Sequence, residues 1–323
     1  MSEINISLDS MGSSKLAPQY DIAIIGAGPA GLTAAIYTAR ARINGILIEK
    51  KNMSGGQVLT TEKVENYPGF DEPIGGFELM KKFREQAENF GAKITNTTVE
   101  SLQKKGKKYF IRTDSGDTET AAVIIASGAS PRKTGAKGEK KFIGRGVSFC
   151  ATCDGALYRN KSVAVIGGGD AGIEEGLFLT RFASKVTVIE MMNHLAATKI
   201  LQERANENPK MDIILSHMPV EIIGDSVVSG IMIKNLVDGS ISRIDVGGIF
   251  VYVGIEPNTG YIEIDELEKD KSGFIITDCD MRTVIPGLFA AGDVRSKILR
   301  QVSTAVGDGA AAQFAAQRYL ENI

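Results

Sequence analysis

One pattern occurs twice in this chain, and it limits the fold more than any other feature. Asp21-Ile22-Ala23-Ile24-Ile25 is a short apolar run ending in Gly26-Ala27-Gly28-Pro29-Ala30-Gly31. Leu32 to Arg42 then reads as a helix, with Leu32, Ile36 and Ala39 spaced for one face. Gly45-Ile46-Leu47-Ile48-Glu49 reads as a second buried parallel strand. The same order returns at Ser162–Ile166, Gly167-Gly168-Gly169-Asp170-Ala171-Gly172, a helix over Ile173–Phe182 and the strand Lys185–Glu190. Gly26 maps to Gly167, Gly28 to Gly169, Gly31 to Gly172 and Glu49 to Glu190, each pair 141 residues apart. One such glycine motif is weak evidence; two, each between strand and helix with an acid at the same remove, are strong.

Each glycine has a physical task. The first allows a tight turn out of the strand, the second lets the backbone approach a pyrophosphate, and the third permits close helix packing. The pyrophosphate then faces the free N–H groups of a helix N-terminus, and the acid accepts hydrogen bonds from ribose hydroxyls. Two copies imply two dinucleotides. The competing reading is ordinary strand–turn–helix packing, with more force for the second copy alone.

The rest of the chain is organised around these copies. The predicted fold is α/β, with two Rossmann-like dinucleotide-binding domains of the three-layer type, the second inserted into the first. Residues 21–128 and 258–323 form the first domain and 129–257 the second. Met1 to Tyr20 is a polar tail without the basic and apolar regions of a signal peptide. An amphipathic helix is expected over Glu78–Phe90 and an Ala-rich one over Val302–Leu320. Strands are expected at 93–99, 108–113, 122–126, 211–216, 219–224, 229–235 and 241–252. Ser127–Glu139 reads as a linker, and Val253–Asn258 as a second hinge.

Composition excludes several classes. With 37 Lys+Arg against 39 Asp+Glu, the net charge is -2 and no nucleic-acid partner is expected. No apolar run reaches the roughly 18 residues needed to span a bilayer, so no membrane partner is expected either. The predicted location is cytoplasmic. The 36 glycines exceed the usual share without a collagen period, which sends attention to turns. Three cysteines are too few for a disulfide scaffold.

Cys150-Ala151-Thr152-Cys153-Asp154 lies just before the second copy. Two cysteines at this spacing can close a small disulfide ring, and a helix start there would favour a reactive thiolate. Half of a zinc site is the alternative, but only Cys279, His194 and His217 remain as further ligands of that kind, so no metal is expected. Cys279 reads as a bystander and the histidines as surface or loop residues. Asp154 is either an N-cap or a proton shuttle to a leaving thiolate. Two dinucleotides plus a dithiol suggest a relay from nicotinamide through a flavin to a disulfide.

Over nearly its whole length after the tail, the chain resembles the low-molecular-weight thioredoxin reductases. The matching landmarks are Gly26–Gly31, Gly55-Gly56-Gln57, Glu65-Asn66, Cys150–Gly155, Gly167–Asp170, Gly292-Asp293-Val294 and Arg300-Gln301-Val302. The resemblance implies an FAD site made by Gly26, Gly28, Pro29, Ala30, Gly31, Glu49, Gly56, Gln57, Asn66, Gly128, Gly292, Asp293, Arg300, Gln301 and Val302. It implies a nicotinamide dinucleotide site at Gly167, Gly168, Gly169, Asp170, Ala171 and Glu190. Cys153 would face the flavin, Cys150 would attack the substrate disulfide, and Asp154 would be the acid. The partner would be thioredoxin or a thioredoxin-like protein, the assembly a homodimer, and the smaller domain would rotate on its two linkers.

In one place the chain departs from the family. NADPH-dependent members carry His-Arg-Arg and a later Arg where this chain has Glu190-Met191-Met192 and Ala196. Without arginines to pair with a 2′-phosphate, NADH is expected over NADPH, as in the similar flavoprotein component of alkyl hydroperoxide reductase. Two alternatives stay open. One keeps the disulfide chemistry with a ferredoxin or deazaflavin donor; the other is a nucleotide-binding regulatory module without turnover.

Overall fold

Apolar β-branched runs bounded by glycine turns become the central strands, as packing on two faces requires. The computed structural model describes residues 16–50, 54–61 and 63–323, so the predicted polar tail lies outside the described residues as far as residue 15. Contacts divide the chain into two units: one runs to Ala129 and resumes at Pro257–Ile323, and the other is Ser130–Glu256.

In the first unit, β1 (Gln19–Ile25), α1 (Pro29–Arg40) and β2 (Gly45–Glu49) are followed by a 3-10 turn over Gly56–Thr60 and α2 (Gly76–Asn89). Next come β3 (Ile94–Asn96), β4 (Val99–Lys105), β5 (Lys108–Thr113) and β6 (Gly116–Ile125). The sheet order is β3-β2-β1-β6-β5-β4, parallel from β3 to β6 and antiparallel beyond. Alternate residues of each strand face opposite layers. Ile22, Ile24, Leu47 and Ile124 pack with Leu32, Ala35 and Ala312 of the helical layer. Ala23, Ile25, Ile48 and Val123 pack instead with Leu102, Tyr109 and Ile111 of the antiparallel strands.

The chain crosses at β7 (Ala129–Pro131) into the second unit, which holds α3 (Glu139–Phe142), β8 (Val147–Ser148), α4 (Ala151–Asp154), β9 (Ser162–Ile166), α5 (Asp170–Leu179), β10 (Lys185–Ile189), α6 (Lys199–Glu207) and β11 (Met211–Ile214). β12 (His217–Gly224), β13 (Val228–Asn235), β14 (Ile241–Ile244) and β15 (Gly248–Val251) complete it. Its parallel sheet has the order β11-β10-β9-β15-β8. One face packs Val163, Val165, Val188 and Phe250 against Ile173, Leu179 and Leu201 of the helices. The other packs Ala164, Ile166 and Ile249 against Ile222, Ile231 and Ile233 of the antiparallel sheet β12-β13-β14. The chain returns at β16 (Ile255–Pro257), which pairs with β7. β17 (Leu288–Ala290) then joins the first sheet beside β6, and α7 (Val302–Leu320) packs on α1. The fold is thus two Rossmann-like, three-layer domains, with the second inserted into the first.

Four expectations change. The strand expected at 93–99 is broken, with 97–98 lying between β3 and β4. The single strand at 241–252 is two strands, β14 in the antiparallel sheet and β15 in the parallel one. A side chain at Gly248 would lie 2.3 Å from the Tyr158 ring, so the chain switches sheets at a residue without one. The linker at Ser127–Glu139 is confined to its first residues. From Thr134 on, the segment is anchored in the second unit, where buried Glu139 accepts the N–H groups of Thr134 and Gly135 at 2.9 Å each. His217 opens β12 rather than lying in a loop, half-buried with its ring 2.7 Å from the Leu215 carbonyl.

Candidate functional site

The two glycine turns have the same internal geometry. Gly26 has φ +104°, and a Cβ there would lie 2.4 Å from the Ala126 carbonyl oxygen; at Gly167, with φ +112°, it would lie 2.2 Å from that of Tyr252. A Cβ on Gly31 would meet the Gly26 oxygen at 1.8 Å, and one on Gly172 the Gly167 oxygen at 2.0 Å. First and third glycines are therefore steric necessities. At the middle glycines, Gly28 and Gly169, nothing lies within 4 Å. Both are N-caps of helices, α1 and α5, and neither helix receives a side-chain cap. Open space before uncapped N–H groups is what a bound pyrophosphate requires. Pro29 and Ala30 open α1, with Pro29 at a position that needs no N–H.

The acids also correspond. Glu49 Oε2 accepts the Ala27 N–H at 2.7 Å, and Glu190 Oε2 accepts the Gly168 N–H at 2.5 Å. The donors are themselves 141 residues apart. Glu190 also accepts the Met192 N–H at 2.9 Å, so both its oxygens are oriented by backbone. Asp170 accepts the Thr198 N–H at 2.6 Å, and the Gly168 carbonyl accepts those of Ala196 and Ala197. These bonds fold the 191–198 loop beside the glycine turn, with Met191, Met192, Ala196 and Ala171 exposed.

In the first unit two more segments converge on the start of α1. A Cβ on Gly56 would lie 3.5 Å from Gly28 Cα, and one on Gly292 would lie 3.0 Å from Ala30 Cβ. Gln57 donates to the Ala129 carbonyl at 2.8 Å, just after Gly128, whose own carbonyl accepts the Asn258 N–H. Asn66 donates to Gln301 Oε1 at 3.1 Å. Gln301 and Thr304 form a capping box at the head of α7, where Val302 is the first helical residue. Arg300 lies 4.0 Å above the Phe274 ring and donates to the Asp293 and Arg295 carbonyls.

Asp293 stands out electrostatically. Its Oδ1 is buried without a hydrogen-bond partner. Burial holds its carboxyl above the ordinary range, assisted by Asp308 and opposed by Lys297 and Arg300. An orphan acceptor beside Gly292 and the start of α1 fits a ligand carrying hydroxyl donors. The turn is held from behind by Asp308, which accepts the Gly292 N–H at 3.0 Å, Arg295 at 2.8 Å and Lys297 at 2.9 Å. Sequence reading missed this cluster.

In the second unit, β8 delivers Cys150 to the head of α4, where it is disulfide-bonded to Cys153. Ser148 Oγ accepts the Cys150 N–H at 3.1 Å, and Cys150 Sγ accepts that of Cys153 at 3.1 Å. Cys153 is exposed and Cys150 and Asp154 are half-buried. Asp154 is the last residue of α4 and stands at the N-cap position of the 3-10 turn Gly155–Tyr158 without a side-chain cap bond, while Cys150 caps α4. Tyr252 is a second residue that sequence reading missed. Its carbonyl walls Gly167, while its hydroxyl accepts the Ala151 N–H at 3.0 Å. Burial pushes its phenol well above the ordinary range, and Glu175 and Asp154 add to this. Tyr252 thus ties the dithiol helix to the glycine turn. Cys279 is exposed and unbonded to another cysteine.

Among the described residues, no helix is long and apolar enough to cross a membrane. The family model for pyridine nucleotide-disulphide oxidoreductases matches residues 20–309. A thioredoxin reductase of Listeria innocua is 46% identical over 307 residues, 94% of this chain and 95% of its own. The structure of Lactococcus lactis thioredoxin reductase is similar with a TM-score of 0.91 at 43% identity, covering 94% of this chain and 100% of that one. A ferredoxin-flavin thioredoxin reductase from Clostridium acetobutylicum is similar at a TM-score of 0.53 and 29% identity, covering 95% and 99%.

Proposed function

The chain belongs to the pyridine nucleotide-disulphide oxidoreductases and, within them, to the low-molecular-weight thioredoxin reductases, and from that premise we propose how it works. It is a thioredoxin-disulfide reductase. Electrons pass from a nicotinamide, NADH in preference to NADPH, through FAD and the Cys150–Cys153 pair to thioredoxin or a thioredoxin-like protein. The observation that carries this reading is the Cys150–Cys153 disulfide, set at a helix start in a unit that also holds an open dinucleotide turn. FAD supplies the isoalloxazine that links hydride chemistry to a disulfide. Gly28 and the start of α1 would hold its pyrophosphate, Glu49 a ribose and Asp293 the ribityl chain. Gln57, Asn66 and Arg300 to Val302 would line the ring.

The dithiol chemistry belongs to the chain's own residues. In the reduced pair, the Cys150 thiolate attacks one sulfur of the partner's disulfide, and the other leaves as a thiolate. Cys153 then attacks the Cys150 sulfur of the mixed disulfide, releasing the partner's second thiolate and restoring the internal disulfide. The partner gains two electrons and two protons; Asp154 is the acid that serves the leaving thiolates. The 3.1 Å bond from the Cys153 N–H to Cys150 Sγ favours a thiolate at Cys150.

Preference for NADH rests on Glu190. Its carboxylate is oriented by two backbone N–H groups, as an acceptor for ribose hydroxyls, and would repel a 2′-phosphate. Met191, Met192 and Ala196 supply no compensating charge. The same absence supports a second reading, a ferredoxin donor, as named for the Clostridium acetobutylicum relative. Anaerobic titration with NADH, NADPH and reduced ferredoxin in parallel decides between them. The expected result is flavin bleaching by NADH at far lower concentration than by NADPH, followed by thioredoxin reduction. Bleaching by ferredoxin alone moves the donor, and bleaching without thioredoxin reduction refutes the disulfide reading. The enzyme is read as a cytoplasmic homodimer, which sedimentation and cell fractionation test.

A further inference from the structure

The segment that leads into the dithiol is unusually basic for a chain of net charge -2. Between Pro131 and Arg145 stand Arg132, Lys133, Lys137, Lys140, Lys141 and Arg145, against one acid, Glu139. All six cations are exposed. Glu139 is buried, with its carboxylate turned to the N–H groups of Thr134 and Gly135, so it does little to balance them at the surface. Only Lys137 has an acidic partner among the ion pairs of the described residues, Glu221 at 2.8 Å, and exposed pairs of that kind are weak. Lys133, Lys140 and Lys141 line one surface depression of about 370 Å³ around Gly135 and Gly138, three cations to the single acid Glu139.

The patch is tied to the strand that leads into the dithiol. Arg145 precedes Cys150 by five residues, so their Cα atoms are at most about 18 Å apart. Ile143 bridges to Val147, and the Gly144 N–H bonds the Val147 carbonyl, which folds the lysine-bearing stretch back beside β8. A protein interface of ordinary size covers about 800 Å² on each partner, a disc of roughly 16 Å radius. A protein of that size seated on the disulfide reaches with its rim about as far as Arg145, and the lysines beyond it act on that protein through their field. At physiological salt, charges this near an interface act over a screening length of about 8 Å and chiefly set the association rate.

We infer that residues 132–145 are an electrostatic docking surface for the substrate protein, selecting one whose disulfide-bearing face is acidic. This inference rests on the disulfide-reductase reading and adds the partner's charge to it. The surface acts before any bond is exchanged, by steering encounter, and leaves the sulfur chemistry of Cys150 and Cys153 as it is.

The test uses FAD-loaded enzyme reduced anaerobically with stoichiometric dithionite, so that no donor enters. It is mixed in stopped flow with a thioredoxin whose disulfide-bearing face is net negative, and separately with neutral hydroxyethyl disulfide. The variant carries Lys133→Glu, Lys140→Glu and Lys141→Glu. At low ionic strength its second-order rate constant with thioredoxin should fall ten-fold or more, with the gap closing at high salt. Its rate with hydroxyethyl disulfide should match that of the unaltered enzyme. The Gln triple at the same positions should show a smaller fall in the same direction, and it carries the test if the Glu triple fails to fold. Equal thioredoxin rates at low salt, or an equal loss with the small disulfide, overturn the docking surface. An unaltered enzyme that reduces hydroxyethyl disulfide but no thioredoxin overturns the partner reading itself, and the docking surface with it.

Discussion

Gly169→Ala separates a ligand-binding turn from a merely structural one. Gly169 has φ -82° and ψ 180°, an ordinary extended conformation, and a Cβ there meets nothing within 4 Å. The fold should therefore accept alanine. Alanine lowers the entropy of the unfolded chain, which stabilises by about 0.4–1 kcal/mol. It is also a poorer N-cap than glycine, which costs something of the same order. The two effects oppose each other, and a melting shift beyond about 3 °C is not expected for a unit of this size. At Gly172 the comparison inverts: a Cβ would lie 2.0 Å from the Gly167 carbonyl oxygen, and overpacking of that kind costs about 1–3 kcal/mol or more. If a pyrophosphate approaches Gly169, the added methyl occupies its path and NADH affinity should fall at least ten-fold. Anaerobic calorimetric titration of the dithionite-reduced, FAD-loaded protein with NADH, beside thermal melting, reads both quantities. Undiminished NADH affinity in a stably folded Gly169→Ala protein would refute the assignment of the second turn.

Three further outcomes follow from the buried polar groups. Tyr252→Phe removes the acceptor of the buried Ala151 N–H, which should cost about 1–3 kcal/mol in urea denaturation and shift the reduction potential of the dithiol, read by equilibration with glutathione. Asp293 has a folded pKa raised by burial, so in the cofactor-free protein it opposes folding as pH rises from the ordinary aspartate value of 3.8 through the raised one. Asp293→Asn should therefore raise the melting temperature of the apoprotein at neutral pH, with the gain vanishing in acid, while FAD is retained less tightly in ultrafiltration. Asp308→Asn leaves Arg295 and Lys297 without their shared carboxylate at side chains only 11% exposed, and should destabilise the first unit by about 3–5 kcal/mol in denaturant titration.

Much of the fold is legible because the strands are short apolar runs between glycine turns, and both glycine motifs announce a strand before and a helix after. β2 and α7 carry the bounds read from sequence. What escapes is set by length and by tertiary context. α3 and α4 have four residues each, too short for any helical period to show. α6 buries only Leu201 and Ala205, so its face is weak. The run 241–252 is apolar throughout its second half, and nothing local marks where one sheet hands over to the other. Asp308 sits thirteen residues from Arg295, and their pairing depends on α7 packing against the Gly292–Val294 turn. Tyr252 follows a buried strand and looks in sequence like one more core residue; only the fold turns its hydroxyl to Ala151.

The correspondence between the two copies extends from residue types to single hydrogen bonds, and that bears on the donor. If Glu190 were only the remnant of a phosphate-binding arginine cluster, nothing would require its carboxylate to accept the N–H of the residue after the first glycine. It does so in the way Glu49 does, and Gly168 is itself constrained: a Cβ there would lie 2.6 Å from Leu195 and 3.0 Å from Glu190 Oε2. Two acids built alike, at equal distance from two open glycine turns, argue for two ligands that present the same group, a ribose with both hydroxyls free. FAD carries such a ribose and so does NADH, whereas NADPH does not. Met191→Arg together with Met192→Arg, with Glu190 kept, should consequently recover little NADPH affinity; adding Glu190→His should raise it ten-fold or more relative to NADH, as measured by the two half-saturation concentrations. A full gain from the arginines alone would mean that Glu190 takes no part in the choice.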